Sequence, residues 1–161
     1  MVAGQSSASD LERTRASFVT AAARDVDALM RMFRASSVWD VTRWGLGSHT
    51  GLSAIRRSLQ DWIGVMDEYA VDVEELSDLG NGVILAVAVQ RARPAGSRAR
   101  LHLRYAPGFI WADGWAERVT HYRDVDEARG AAKLAARARS ASPGAQAELL
   151  PAPGGKAAYQ A

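Results

Sequence analysis

The sequence predicts an α+β fold, with helices packed on one face of an antiparallel sheet. Three observations point there. Apolar residues recur at helical spacing in residues 10–23, 24–33 and 52–67. Strand-like segments then follow one another from residue 69 to residue 123. Turn signals, Asp113-Gly114 among them, divide that region into a meander of four strands.

Each element has its own reason. Residues 1–9 are small and polar, and disorder is expected there. "SDLE" (9–12) reads as a capping box, with Ser9 as the cap and Glu12 reaching back. Leu11, Phe18, Val19 and Ala22 then share a helical face. Asp25 is placed to cap a second helix, whose Val26, Leu29, Met30 and Phe33 follow the i, i+3, i+4, i+7 pattern. A first strand is expected at about 37–42, followed by the turn-rich connection "GLGSHTG" (45–51). The third helix carries a stripe of Leu52, Ile55, Leu59, Trp62 or Ile63, and Met66. "YAVDVEELSD" (69–78) alternates apolar and acidic residues, and "LGNG" (79–82) turns into the long strand "VILAVAVQRA" (83–92). "PAGS" (94–97) reads as a hairpin loop, "RARLHLRYAPGFIWA" (98–112) as a strand and "WAERVTHYR" (115–123) as the last one. "DVDE" (124–127) is a second capping box, opening a helix to about residue 138. The folded domain is thus expected over residues 10–138, with a disordered Ala/Gly/Pro-rich tail at 139–161.

Composition narrows the function. A chain of 161 residues with 48% hydrophobic and 24% charged residues is ordinary for one globular domain. The absence of Cys excludes disulfides, thiolate metal sites and Cys nucleophiles. The three His residues show no metal-ligand spacing, so no metal is expected. GxGxxG, GxxxxGK[ST] and GxSxG are absent, and no cofactor is expected. A net charge of +2 argues against a nucleic-acid partner. No leader-like apolar run and no membrane-length segment is present, so a cytoplasmic protein with no membrane partner is expected.

The order of elements, with "RDVDALMRMF", "VWDV", "GLSAIRRSLQDW", "YAVDVEEL", "ADG" and "THYRDVDEA", resembles the SnoaL-like branch of the NTF2-like superfamily over about residues 11–135. The resemblance implies a cone-shaped α+β barrel, cystatin-like, with helices on a curved antiparallel sheet. It also implies a hydrophobic small-molecule pocket. Relatives include polyketide cyclases, ketosteroid isomerases, epoxide hydrolases and pocketed proteins without known activity, so fold follows more firmly than reaction.

Turn chemistry suggests a register. A two-residue loop at Asp113-Gly114 pairs Ala112 with Trp115, and so His121 with Ala106, Val119 with Gly108 and Arg123 with Arg104. Val83, Leu85, Val87 and Val89 fall on that same face, which is expected to be the concave, helix-covered one. Tyr105, Phe109, Trp111 and Tyr122 fall on the other. So many aromatics on an outer face would suit a homodimer. A β-bulge near Pro107-Gly108 would flip part of this assignment. The "PAGS" loop sets Arg91 opposite Arg100 and Arg93 opposite Arg98. Such arginines could extend into water, attract a partner's acids or guide an anionic ligand.

Asp40 and His121 are the candidate catalytic pair. By the resemblance, "SSVWDV" matches the strand bearing the general-base Asp of ketosteroid isomerases, with Asp40 on that Asp. The plain alternative is an Asp accepting backbone hydrogen bonds at a strand end. "THYRD" resembles the strand ending of limonene-type epoxide hydrolases, with His121 where those have an acid. The first and last strands are neighbours in that fold, so Asp40 is expected to point into the pocket within hydrogen-bond reach of His121, directly or through one water, on the face of Val38. Phe18 stands where the isomerases have their oxyanion-hole Tyr, and no acid occupies the place of the second donor, near Pro107. Steroid isomerisation is therefore not expected. Phe18, Val38, Arg104 and Val119 are the candidate substrate-binding residues. Two readings stay open. In one, Asp40 and His121 move a proton on a hydrophobic small molecule. In the other, the domain binds a ligand or a second copy without catalysis.

Overall fold

The computed structural model describes residues 8–141. Its elements are α1 (Ala8–Ala22), α2 (Val26–Met30), β1 (Val38–Asp40), a 3₁₀ turn (Thr42–Trp44), β2 (Ser48–Thr50) and α3 (Leu52–Ile63), then β3 (Met66–Gly80), β4 (Val83–Pro94), β5 (Leu101–Ala112), β6 (Trp115–Tyr122) and α4 (Val125–Ala141). The strands form one sheet in the order β2-β1-β6-β5-β4-β3. Among the described residues the β1–β6 pair is parallel and the other pairs are antiparallel.

Sequence logic accounts for most of this. The Asp25 carboxylate accepts the Ala28 N–H at 3.0 Å and starts α2, and Asp124 does the same for Glu127 at 2.9 Å before α4. Ser9 is inside α1 rather than capping it. Ile55, Leu59 and Ile63 bury the face of α3, whereas Leu52 is exposed. The short strand β2 lies inside the connection expected at 45–51, where three polar residues between glycines show no alternation. Helix α4 continues past residue 138: Arg139, expected in the tail, donates to the carbonyl oxygens of Asn81 at 2.6 Å and Trp111 at 3.2 Å. The expected disorder of the first residues and of the tail beyond Ala141 falls outside the described residues.

Both faces of the sheet are covered. On one, Phe18, Leu29, Phe33, Ile55 and Leu59 from the first three helices pack on Ile84, Ala86, Ala88, Tyr105, Phe109 and Trp111. On the other, Ala128, Ala132, Ala135 and Ala136 of α4 pack on Val83, Leu85, Val87, Ala106, Ile110 and Tyr122. Those small side chains let the helix lie close to the strands. Sandwiched this way, every residue from Val83 to Gln90 is buried.

The expected faces were therefore reversed, for two reasons. The bulky aliphatic row of β4 belongs under α4, not under the first three helices. Second, β6 carries a bulge: Ile110 faces Arg118 but Trp111 faces Ala116, leaving Glu117 as the extra residue. The bulge slips the pairing by one, so His121 faces Pro107 and shares a side with Phe109 and Tyr105. The aromatic row that motivated a homodimer lies inside the chain.

The arginine pairings also differ. Arg91 faces His102, and acids of the chain's own β3 meet the arginines. Arg91 pairs with Asp72, Arg100 with Glu68, Arg93 with Asp67 at 3.3 Å and Arg104 with Glu74 at 2.8 Å.

Candidate functional site

Between the first three helices and the sheet lies a cavity of about 450 Å³. Helix α1 contributes Phe18, and α3 contributes Leu59 and Trp62. Trp39, Trp44 and Leu46 come from the β1–β2 region, and Tyr105 and Phe109 from β5. No lining residue carries a formal charge at neutral pH, and two hold buried polar nitrogens without partners: Nε2 of His121 and Nε2 of Gln90.

His121 is placed by the bulge in β6. Its ring sits between Trp39 (centroids 4.5 Å apart) and Tyr105, which stacks on it at 5.6 Å with 14° between planes. Burial pushes the imidazole pKa down to about 4, partly opposed by the negative charge of Asp40. The ring is neutral at pH 7, so one of its nitrogens is a donor and the other an acceptor.

Gln90 occupies the equivalent wall on β4. Its Oε1 accepts from the Tyr69 hydroxyl at 3.0 Å and from the Trp62 indole N–H at 3.3 Å. Burial raises the pKa of both the Tyr69 and Tyr105 phenols, so both remain protonated. Sequence reading missed Gln90, Tyr69, Trp62 and Tyr105 as site residues. The signal for Gln90 was available: one amide at the end of the unbroken apolar run "VILAVAV".

Of the six residues singled out from sequence, His121 and Phe18 line the cavity. Val119 is on the same face but fully buried in the core beside it. The other three are elsewhere. Asp40 pairs with Thr120 across β1–β6 and points to the opposite side from Trp39 and His121. Its Oδ1 accepts from the Thr42 N–H at 3.0 Å and hydroxyl at 2.7 Å, and its Oδ2 accepts from Arg118 Nη2 at 2.7 Å. These are the contacts of the strand-end carboxylate of the plainer reading, and no direct hydrogen bond joins Asp40 to His121. Val38 shares that outward side, opposite Arg118. Arg104 lies on the sheet face away from the cavity, bound to Glu74. Its alternation with Leu103 and Tyr105, which line the cavity, requires that.

No protein-family model matches the sequence, and no curated protein sequence matches it. Solved structures do match. TerC, co-crystallised with polyporic acid, superposes with a TM-score of 0.62 at 16% identity, covering 74% of this chain and 94% of TerC. A ketosteroid isomerase-like protein from Catenulispora acidiphila, in complex with trimethylamine, gives 0.62 at 14% identity, covering 71% and 86%. A protein from Shewanella denitrificans assigned as a SnoaL-like polyketide cyclase gives 0.64 at 10%, covering 73% and 91%. At such identities the likeness concerns architecture. The chain has the cone-shaped α+β fold of NTF2-like and ketosteroid isomerase-like proteins, as its sequence resemblance implied.

Proposed function

We propose that this chain binds an uncharged, hydrophobic, ring-bearing small molecule in the cavity between its first three helices and its sheet. One observation carries the reading. A space of about 450 Å³, walled by aromatic and aliphatic side chains, is also lined by His121 and Gln90, whose Nε2 atoms are buried without partners. Large apolar pockets with a few placed polar groups are the usual form of small-molecule sites. The bound polyporic acid of TerC and trimethylamine of the Catenulispora protein support small-molecule binding in this architecture.

Binding is favoured over proton transfer. An imidazole whose pKa lies near 4 is a weak base at neutral pH. The carboxylate that would have assisted it, Asp40, is committed to Arg118 and Thr42. Trp39, Trp44 and Trp62 all line the cavity, so their fluorescence reports its occupancy. A panel of uncharged polycyclic compounds should give saturable quenching. Ala21→Phe, which fills the cavity from α1, should weaken it about tenfold or more. Absence of any saturable ligand, or quenching indifferent to Ala21→Phe, would refute the proposal.

A further inference from the structure

We infer that Gln90 is the specificity-determining donor of this cavity, and that the ligand presents a neutral carbonyl oxygen to its Nε2. The inference rests on the binding reading above and specifies the ligand chemistry. Gln90 is 4% exposed, an amide held at a cavity wall by a strand otherwise apolar from Val83 to Val89.

Its orientation is fixed by chemistry rather than by choice of rotamer. An indole N–H can only donate, so the amide atom facing Trp62 must be the oxygen. The Tyr69 hydroxyl donates to the same oxygen. The two donors together turn Oε1 away from ligand duty and leave the NH₂ group without a partner. An unsatisfied buried donor is costly, and a ligand acceptor removes that cost only when bound. A carboxylate would satisfy the same donor but would bring a charge into a wall without a cation, which is more costly still. The acceptor is thus neutral: a ketone, quinone or lactone carbonyl on a ring system.

9-Fluorenone and fluorene test this, since they share a skeleton and differ in the carbonyl. Calorimetric titration of the full chain should show fluorenone binding about tenfold tighter than fluorene. In Gln90→Met made on a Trp62→Phe/Tyr69→Phe background, so that the two donors now held by Oε1 are not set free, the ratio should fall to about one. In wild-type protein labelled with ¹⁵N, the Gln90 side-chain amide should shift with fluorenone and stay put with fluorene. That measurement decides the matter even if the variant fails to fold. Equal affinities with an unmoved Gln90 amide, or a ratio that survives Gln90→Met on that background, would overturn the donor assignment and leave the binding proposal standing. If neither compound binds while other ring compounds saturate the tryptophan quench, the carbonyl inference alone falls. If nothing binds, both fall.

Discussion

At the scale of single residues, His121 makes the fold sensitive to acid. Unfolded, its imidazole takes up a proton near pH 6.5; folded, only near pH 4. Between those values the unfolded chain holds more protons, so stability increases with pH across the window. The contribution is constant above about pH 6.5 and is lost as pH falls towards 4, by up to about 3 kcal/mol. Glu75, whose pKa is held at about 2 chiefly by hydrogen bonds from Arg129, adds a loss of the same sign only below the ordinary carboxylate range. Thermal melts from pH 7 to 4.5 should therefore drop in the wild type and stay nearly flat in His121→Phe. Parallel profiles would show that His121 is not the titrating group. The expectation that His121 faces the cavity held only because two errors cancelled: the register set it opposite Ala106 rather than Pro107, and the face carrying Ala106 was taken for the one under the first three helices. Asp40 was misleading. A carboxylate in "VWDV" fits a pocket base and a strand-end acceptor equally well, and only the Arg118 guanidinium across the β1–β6 pair decides between them.

At the scale of elements, two hairpins use the same turn with different tolerance. Asn81-Gly82 and Asp113-Gly114 both place two consecutive residues at positive φ, as type I′ turns require. A Cβ on Gly82 would lie 2.3 Å from the Trp111 carbonyl oxygen, a backbone atom that cannot yield. A Cβ on Gly114 would meet only the guanidinium end of Arg13 at 3.5 Å, which can swing away. Gly114→Ala should then cost about 1–2 kcal/mol, the ordinary price of the left-handed region. Gly82→Ala should cost clearly more, because the β3–β4 turn must also move. Chemical denaturation of the two variants checks the ranking; equal losses would contradict it. These turns were legible from their dipeptides, and so were the long helices from their periodicity. The bulge at Glu117 was not. One extra residue leaves no mark in composition or alternation, yet it sets which side of the sheet His121 faces. Strand β2 was invisible for a related reason: its pairing with β1 is tertiary, and its three residues carry no pattern of their own.

At the scale of the whole molecule, the covering of both sheet faces predicts a monomer. Tyr105, Phe109 and Trp111 are buried inside, α4 covers much of the outer face, and ion pairs between β3 and the arginines of β4 and β5 dress the rest. Such exposed pairs add little stability, but they keep that surface polar. Sedimentation at tens of micromolar should give a single species of one-chain mass, and a dimer would show that another surface associates. The late position of α4 in the chain has a further consequence, in time rather than space. A ribosome releases β4 before it has made α4. At roughly 5–20 residues per second, the 47 residues from Pro94 to Ala141 take several seconds to add. Through that interval Val83, Leu85 and Val87 have no helix over them, and they lie in the most continuously apolar stretch of the chain. The nascent protein is therefore stickiest in the interval after β4 is made and before α4 is. Any factor that slows translation across residues 125–141 lengthens the period in which neighbouring nascent chains can meet through β4.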